Sequence, residues 1–317
     1  MTESPQDPQK VSEKTSRFSL PLQLTGIAFT RTVLYTGHRM VYPFLPVIAR
    51  GLGVSLETAA VAVTVRSALG IFSPILGALG DVQGRKRAMV VGILCFIVGS
   101  LVVAVLPTYP GLLAGLILAG VGLMFFDPAI QAYVGDRVPY ERRALGMAAV
   151  EFGWSGAFLL GVPLVGLIIE RSQYNIPFYG LAGLGLLSAL LMAAVLPGDV
   201  VEKGTNISFG QGLKEVVTHV PSVAALMVTL VMITGTRSIM IIYGAWFETS
   251  FGMSPERLGI VSSVVGVAGL AGLVLVGLIS DTLGKRWSMI LGLSINLLAA
   301  VSFPFLGHRA WVTVSVM

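Results

Sequence analysis

Residues 77–87 read Gly77-Ala-Leu-Gly-Asp81-Val-Gln-Gly84-Arg85-Lys86-Arg87, and residues 277–286 read Gly277-Leu-Ile-Ser-Asp281-Thr-Leu-Gly284-Lys285-Arg286. The matching Gly, Asp and Gly recur 200 residues apart. A short, tight turn needs glycines for backbone conformations other residues avoid, and its Asp can cap the following helix or pair with a nearby Arg. Each loop lies between two apolar runs, so the repeat is in register with a larger pattern. Those runs extend over 20–44, 57–79, 88–106, 111–134, 144–169, 176–196, 221–246, 257–279 and 287–306. At 1.5 Å per residue each is long enough to cross about 30 Å of hydrocarbon. A tenth run begins near Trp311 and meets the end of the sequence at Met317.

Composition agrees with nine spans. The chain has 317 residues, 55% hydrophobic and 12% charged, about half the charge of an ordinary soluble domain. A soluble enzyme, a secreted disulfide scaffold and a nucleic-acid binder are excluded, and an all-α protein in a lipid bilayer remains. The single cysteine, Cys95, falls within an apolar run and reads as packing. Polar residues 1–19 read as a disordered cytoplasmic tail without a signal-peptide cleavage site. With the N-terminus inside, the cytoplasmic segments hold Lys10, Lys14, Arg17, Arg85, Lys86, Arg87, Arg137, Arg142, Arg143, Lys203, Lys214, Lys285 and Arg286. Only Arg50, Arg171, Arg257 and Arg309 fall outside, and basic residues favour the cytoplasmic face. The polar break at 197–220 divides a six-helix unit, 20–196, from a partial second unit, 221–317.

The double loop resembles the signature of the major facilitator superfamily of secondary transporters, and the resemblance runs through all the spans. It implies two six-helix bundles around a central cavity, rocking to expose a midplane site alternately to each side. It also implies that Gly77, Asp81, Gly84 and Arg85, with Asp136 and Arg142 at the inner end of the fourth helix, form a gate. Gly277, Asp281, Gly284 and Lys285 repeat that gate in the second bundle. Twelve helices are the superfamily's plan, so the sequence is expected to be part of a longer transporter and inactive alone. The fifth span carries Gly153, Gly161, Pro163 and Gly166, similar to the pattern of proton-coupled drug exporters, in which small residues allow close helix approach and proline bends the helix. Two departures stand out: Val162 separates Gly161 from Pro163, and Gly115 replaces an Arg usual in the fourth helix.

Six charges lie inside apolar runs: Arg31, Arg39, Arg66, Asp127, Glu151 and Arg237. Each costs at least about 2.5 kcal/mol at depth, so each requires a partner or a wet cavity. Asp127 is nine residues before Asp136 and Glu151 eight after Arg143, which puts both carboxylates about 12–13 Å from the same end. Arg31, about 16 Å up the first helix, is the nearest cation in depth. These three are the candidate proton-coupling residues, with fixed neutralisation by arginine as the structural alternative. Arg39, Arg66 and Arg237 are candidate substrate residues in the outer half. Arg39 precedes Asp81 by 42 residues and Arg237 precedes Asp281 by 44, a symmetric pair resembling that of anion transporters in the superfamily. Their alternative is pairing with Glu57 or Glu248. His38 reads as a solvated end residue, and Tyr243, Trp246 and Phe247 as interface anchors.

The functional expectation is a multi-pass protein of the cytoplasmic membrane, not an enzyme, acting as a proton-coupled antiporter that exports a small amphipathic molecule. Uptake or exchange of a small organic anion held by the arginines is the alternative, and a non-transporting receptor or structural protein a third class. The sequence shows no nucleotide-binding loop and no metal cluster, so no cofactor or metal is expected. Expected partners are a small-molecule substrate, protons and the lipid bilayer, for a monomer.

Overall fold

A computed structural model describes residues 18–77, 84–198 and 217–306. Most of the expected tail, Asp81, most of the linker and the start of the tenth run lie outside the described residues, as do the side chains of Asp281 and Lys285. All regular structure among the described residues is helical. Seven of the helices are long and apolar enough to cross a membrane. The first expected span is α1 (Leu20–Arg39) followed by α2 (Leu45–Leu52). The second is α3 (Leu56–Ala68), continued by a tighter turn at Leu69–Phe72. Then come α4 (Arg85–Val105) and α5 (Tyr109–Arg137). The fifth span is α6 (Arg143–Gly156), a π-helical turn at Ala157–Gly161, and α7 (Val162–Arg171). After α8 (Ile176–Val195) come α9 (Val220–Phe251), α10 (Pro255–Leu283) and α11 (Lys285–Leu306).

The two loop motifs end in the same backbone geometry. Gly84 has φ 102° and Gly284 φ 79°, a region that a Cβ strongly disfavours. Each therefore serves as the swivel before the next helix, α4 or α11. We call the end of the protein holding these glycines the motif end and the opposite one the far end.

The first expected span does not stop at residue 44. Pro43 has no N–H to give the Arg39 carbonyl, which Tyr42 takes instead in a tighter turn at 3.2 Å. The chain then resumes as α2 with Pro46 in its first turn. The fifth span is interrupted for the same reason. Pro163 leaves the Leu159 carbonyl without its helical donor, and the Ser263 hydroxyl of α10 donates to it at 3.2 Å.

Close helix approach organises the first six spans. α4 packs on α5 and α8, and α1 on α6 and α8. Ile27, Leu34, Met89, Phe96 and Phe126 are fully buried at their centre. Gly115 faces the Gly99 carbonyl, 2.5 Å from where a Cβ would stand, and crowds Val103. A side chain at this position would force α4 and α5 apart. The second group meets the first at the far end and the middle: α9 against α2, and α10 against α6, the π turn and α7. Towards the motif end, α9 from Val220 to Gly235 is mostly exposed.

A valine at Gly92 would put its Cβ 2.5 Å from the Gly122 carbonyl, whereas one at Gly180 would meet nothing within 4 Å. Gly92→Val is expected to destabilise the fold by about 1–3 kcal/mol and Gly180→Val to be nearly neutral. Thermal unfolding in detergent compares them.

Candidate functional site

Glycines on the fifth span bring it against α1. At Gly153 an added Cβ would lie 2.5 Å from the Ala28 carbonyl and 2.9 Å from the Arg31 Cβ. Gly156 faces Thr32, and Gly161 is pressed against Thr36. Because α6 can approach this closely, the Arg31 guanidinium reaches two carboxylates. Its Nη1 is 2.7 Å from Glu151 Oε1 and its Nε 3.4 Å from Asp127 Oδ1. Nη1 also donates to the Val150 carbonyl at 3.2 Å, and Tyr35 donates its hydroxyl to Asp127 Oδ2 at 2.6 Å. Arg31 is 7% exposed. The three residues of matched depth thus meet on a single cation, with Tyr35 as a fourth member.

Two turns further along α1, Arg39 is held very differently. It lies over the rings of Trp154 (5.1 Å), Phe158 (5.3 Å) and Tyr35 (5.9 Å). It makes no ion pair among the described residues, and its Nε has no hydrogen-bond partner. The Arg31 guanidinium also faces the Tyr35 ring, at 5.1 Å. Tyr35 therefore stands between the two arginines and touches the Asp127 carboxylate.

Arg39 and Arg237 line one cavity of about 470 Å³ between the two helix groups. Its walls include Trp154, Phe158, Met232, Met240 and Ala268, and Thr236 is a further polar group. Tyr42, at the break between α1 and α2, accepts from Arg66 Nη2 at 3.1 Å and from Arg237 Nη1 at 3.0 Å. Arg66 spends Nη1 on the His38 carbonyl at 3.3 Å. At 1.5 Å per residue, Arg39 is about 28 Å and Arg237 about 26 Å from the motif end of spans about 48–50 Å long. They are close to the middle, because the helices run beyond their apolar stretches.

Three expectations are corrected here. Neither Glu57 nor Glu248 pairs with the inner arginines: Glu57 is exposed in the first turn of α3, and Glu248 Oε1 lies 2.5 Å from Arg50 Nη1. His38 is no solvated end residue, since the span resumes beyond it as α2 and its ring sits between Tyr35 and Tyr42, 6.1 Å from each. Tyr243 and Phe247 are buried at the far end, Phe247 meeting the Tyr243 and Trp246 rings edge-on and the Phe251 ring at a tilt, so these two do not anchor at lipid.

At the motif end Arg85 Nε donates to Asp136 Oδ2 at 3.3 Å. Arg142 is exposed and forms no ion pair among the described residues. Its neighbour Arg143 instead caps α5, donating to the Gly135 carbonyl at 2.6 Å. Lys86, also unassigned from the sequence, caps α8 through the Ala193 and Leu196 carbonyls at 2.6 and 2.7 Å. Gly77 lies against the Pro128 ring. Gly166 packs on the Pro255 carbonyl, and the Pro163 backbone on Gly259.

The Arg50–Glu248 pair joins α2 to α9 at the far end, where Glu170 Oε2 also accepts from the Glu256 backbone N–H at 3.5 Å. Arg50 is largely exposed, so the pair contributes no more than about 1 kcal/mol. In a Cys95→Ser, Thr236→Cys background, Glu248→Gln is expected to raise labelling from the far side by an impermeant thiol reagent up to about fivefold. Unchanged labelling would show that the pair does not hold the far end shut.

A sequence model of the Major Facilitator Superfamily matches residues 27–317. The chain is 24% identical over 276 residues to the uncharacterized MFS-type transporter YceJ of Bacillus subtilis, covering 86% of this chain and 70% of that protein. It is 25% identical over 255 residues to the quinolone resistance protein NorA of Staphylococcus aureus, covering 78% of this chain and 64% of NorA. Among solved structures, a peptide transporter POT variant in complex with alafosfalin superposes with a TM-score of 0.68 at 18% identity, over 98% of this chain and 81% of that one. A bacterial homolog of the human lysosomal transporter Spinster, inward-facing and unoccupied, gives 0.67 at 15% identity, over 94% and 72%.

Proposed function

The chain belongs to the major facilitator superfamily, and from that premise we propose that it is a proton-coupled secondary transporter exporting a small amphipathic molecule by antiport. It is a membrane transport protein and not an enzyme; proton coupling, direction and substrate are our reading. The observation that carries it is one guanidinium facing two carboxylates. Arg31 can balance only one of Asp127 and Glu151. The remaining negative charge, held at depth in the bilayer, is relieved by one bound proton, which the pair can exchange as the site's exposure alternates.

The coupling route runs through Tyr35. Protonation of Asp127 removes the charge that its hydroxyl donates to and that holds Arg31. The Tyr35 ring, shared by Arg31 and Arg39, passes the change to the cavity wall. NorA is named for quinolone resistance, which favours export of an amphipathic compound here. The bias of basic residues toward the motif end supports a cytoplasmic membrane location with the N-terminus inside. Arg85 with Asp136 acts as the inner gate, and the Arg50–Glu248 contacts close the outside in this state.

Asp127→Asn and Glu151→Gln each keep side-chain shape and remove a titratable proton. In inside-out vesicles energised by a pH gradient, both are expected to cut accumulation of a fluorescent quinolone at least about tenfold, with binding retained. Tyr35→Phe is expected to lower accumulation a few-fold while sparing downhill flux. Normal pH-dependent accumulation in both carboxylate variants would refute proton coupling at this site.

A further inference from the structure

Resting on the cavity as the transport site, we infer that its substrate is an aromatic organic anion: a flat apolar body with one carboxylate-like oxyanion lodged against Arg39. Two arginines share one helix face. Arg31 and Arg39 lie two turns apart on α1 and are each 7% exposed. Arg31 is matched by two carboxylates and a backbone carbonyl. Arg39, deeper in the bilayer, has aromatic faces and no anion among the described residues.

Ring faces attract a guanidinium, but they neither cancel its charge nor satisfy its in-plane N–H donors. Arg39 Nε is buried and without an acceptor. Arg66 and Arg237 do not relieve the excess. Both donate to the one Tyr42 hydroxyl, whose two lone pairs are then filled. Three cations therefore surround the break in α1 with no carboxylate within ion-pair distance among the described residues. Such an arrangement is costly at depth unless a ligand supplies the counter-charge.

The cavity beside them has the matching shape and chemistry. About 470 Å³ suits a molecule of one or two fused rings. Trp154 and Phe158 offer stacking faces, and Met232 and Met240 adapt to irregular outlines. Arg39 comes from the first helix group and Arg237 from the second.

The test uses 2-naphthoate, 2-naphthalenemethanol and 2-naphthylmethylammonium as probes matched in apolar body and differing in charge. Binding to the purified protein is read by quenching of tryptophan fluorescence, since Trp154 forms a wall of the cavity. Naphthoate is expected to bind at least about tenfold more tightly than the alcohol and the ammonium. Arg39→Gln should erase that preference, and Arg39→Lys should keep part of it. Thr236→Glu, which leaves Arg39 in place and adds a negative charge to the wall, should weaken naphthoate about tenfold and spare the alcohol. It decides the matter if Arg39→Gln does not fold. Equal binding of the three probes, tighter binding of the ammonium, or indifference of naphthoate to Thr236→Glu would overturn the assignment. Naphthoate preference without gradient-driven flux would uphold it while removing proton-coupled transport. Gradient-driven flux of the ammonium without naphthoate binding would do the reverse.

Discussion

A charged side chain in a bilayer has to find its opposite, and the placement of Arg31 between Asp127 and Glu151 is the constraint on which the rest of the first bundle depends. The three groups come from α1, α5 and α6, so their pairing ties three spans at one depth. It also demands a narrow approach between α1 and α6, supplied by Gly153 and Gly156. A larger residue at either place would push the carboxylate away from the guanidinium and leave both uncompensated. Packing and electrostatics here are one requirement, because hydrocarbon offers neither water nor counter-ions to relax a misplaced charge.

The two proline-driven irregularities put the second set of arginines where it is. Pro43 breaks α1 from α2 beside Arg39 and Tyr42, and Pro163 follows the π turn that presents Phe158 to the cavity. Each break frees a carbonyl, and each carbonyl finds a donor: Tyr42 for Arg39, Ser263 for Leu159. The second bond crosses between the helix groups. It is a contact that has to be broken and remade if the groups rock, as does the Arg50–Glu248 pair. Such small, separable contacts suit a protein that occupies two states of similar energy.

Much of this architecture is legible in the amino-acid sequence because hydrocarbon thickness and loop charge impose simple periodic demands. The repeated Gly-Asp-Gly loops locate two turns whose glycines adopt φ 102° and 79°. Counting residues from a shared end puts Asp127 and Glu151 at one depth, since antiparallel helices rise equally from it. Helix ends are less legible, because hydropathy reports the hydrocarbon core while α9 and α10 continue into polar surroundings. Rotation about the helix axis escapes hydropathy too. Tyr35 and Tyr42 look like ordinary apolar-face residues until the spacing 31, 35, 39 and 42 is recognised as one stripe along α1 and the turn that follows it. The partner of Glu248 is out of reach for a different reason: Arg50 stands on a helix that the apolar count had already ended.

The central claim is that Asp127 and Glu151, sharing one guanidinium, hold a proton between them. Infrared difference spectroscopy of the purified protein between low and high pH tests it without any substrate. The account predicts one buried carboxylic-acid C=O band in the parent that vanishes in both Asp127→Asn and Glu151→Gln. A spectrum in which no such band is lost in either variant, both carboxylates staying ionised across the range, would contradict it.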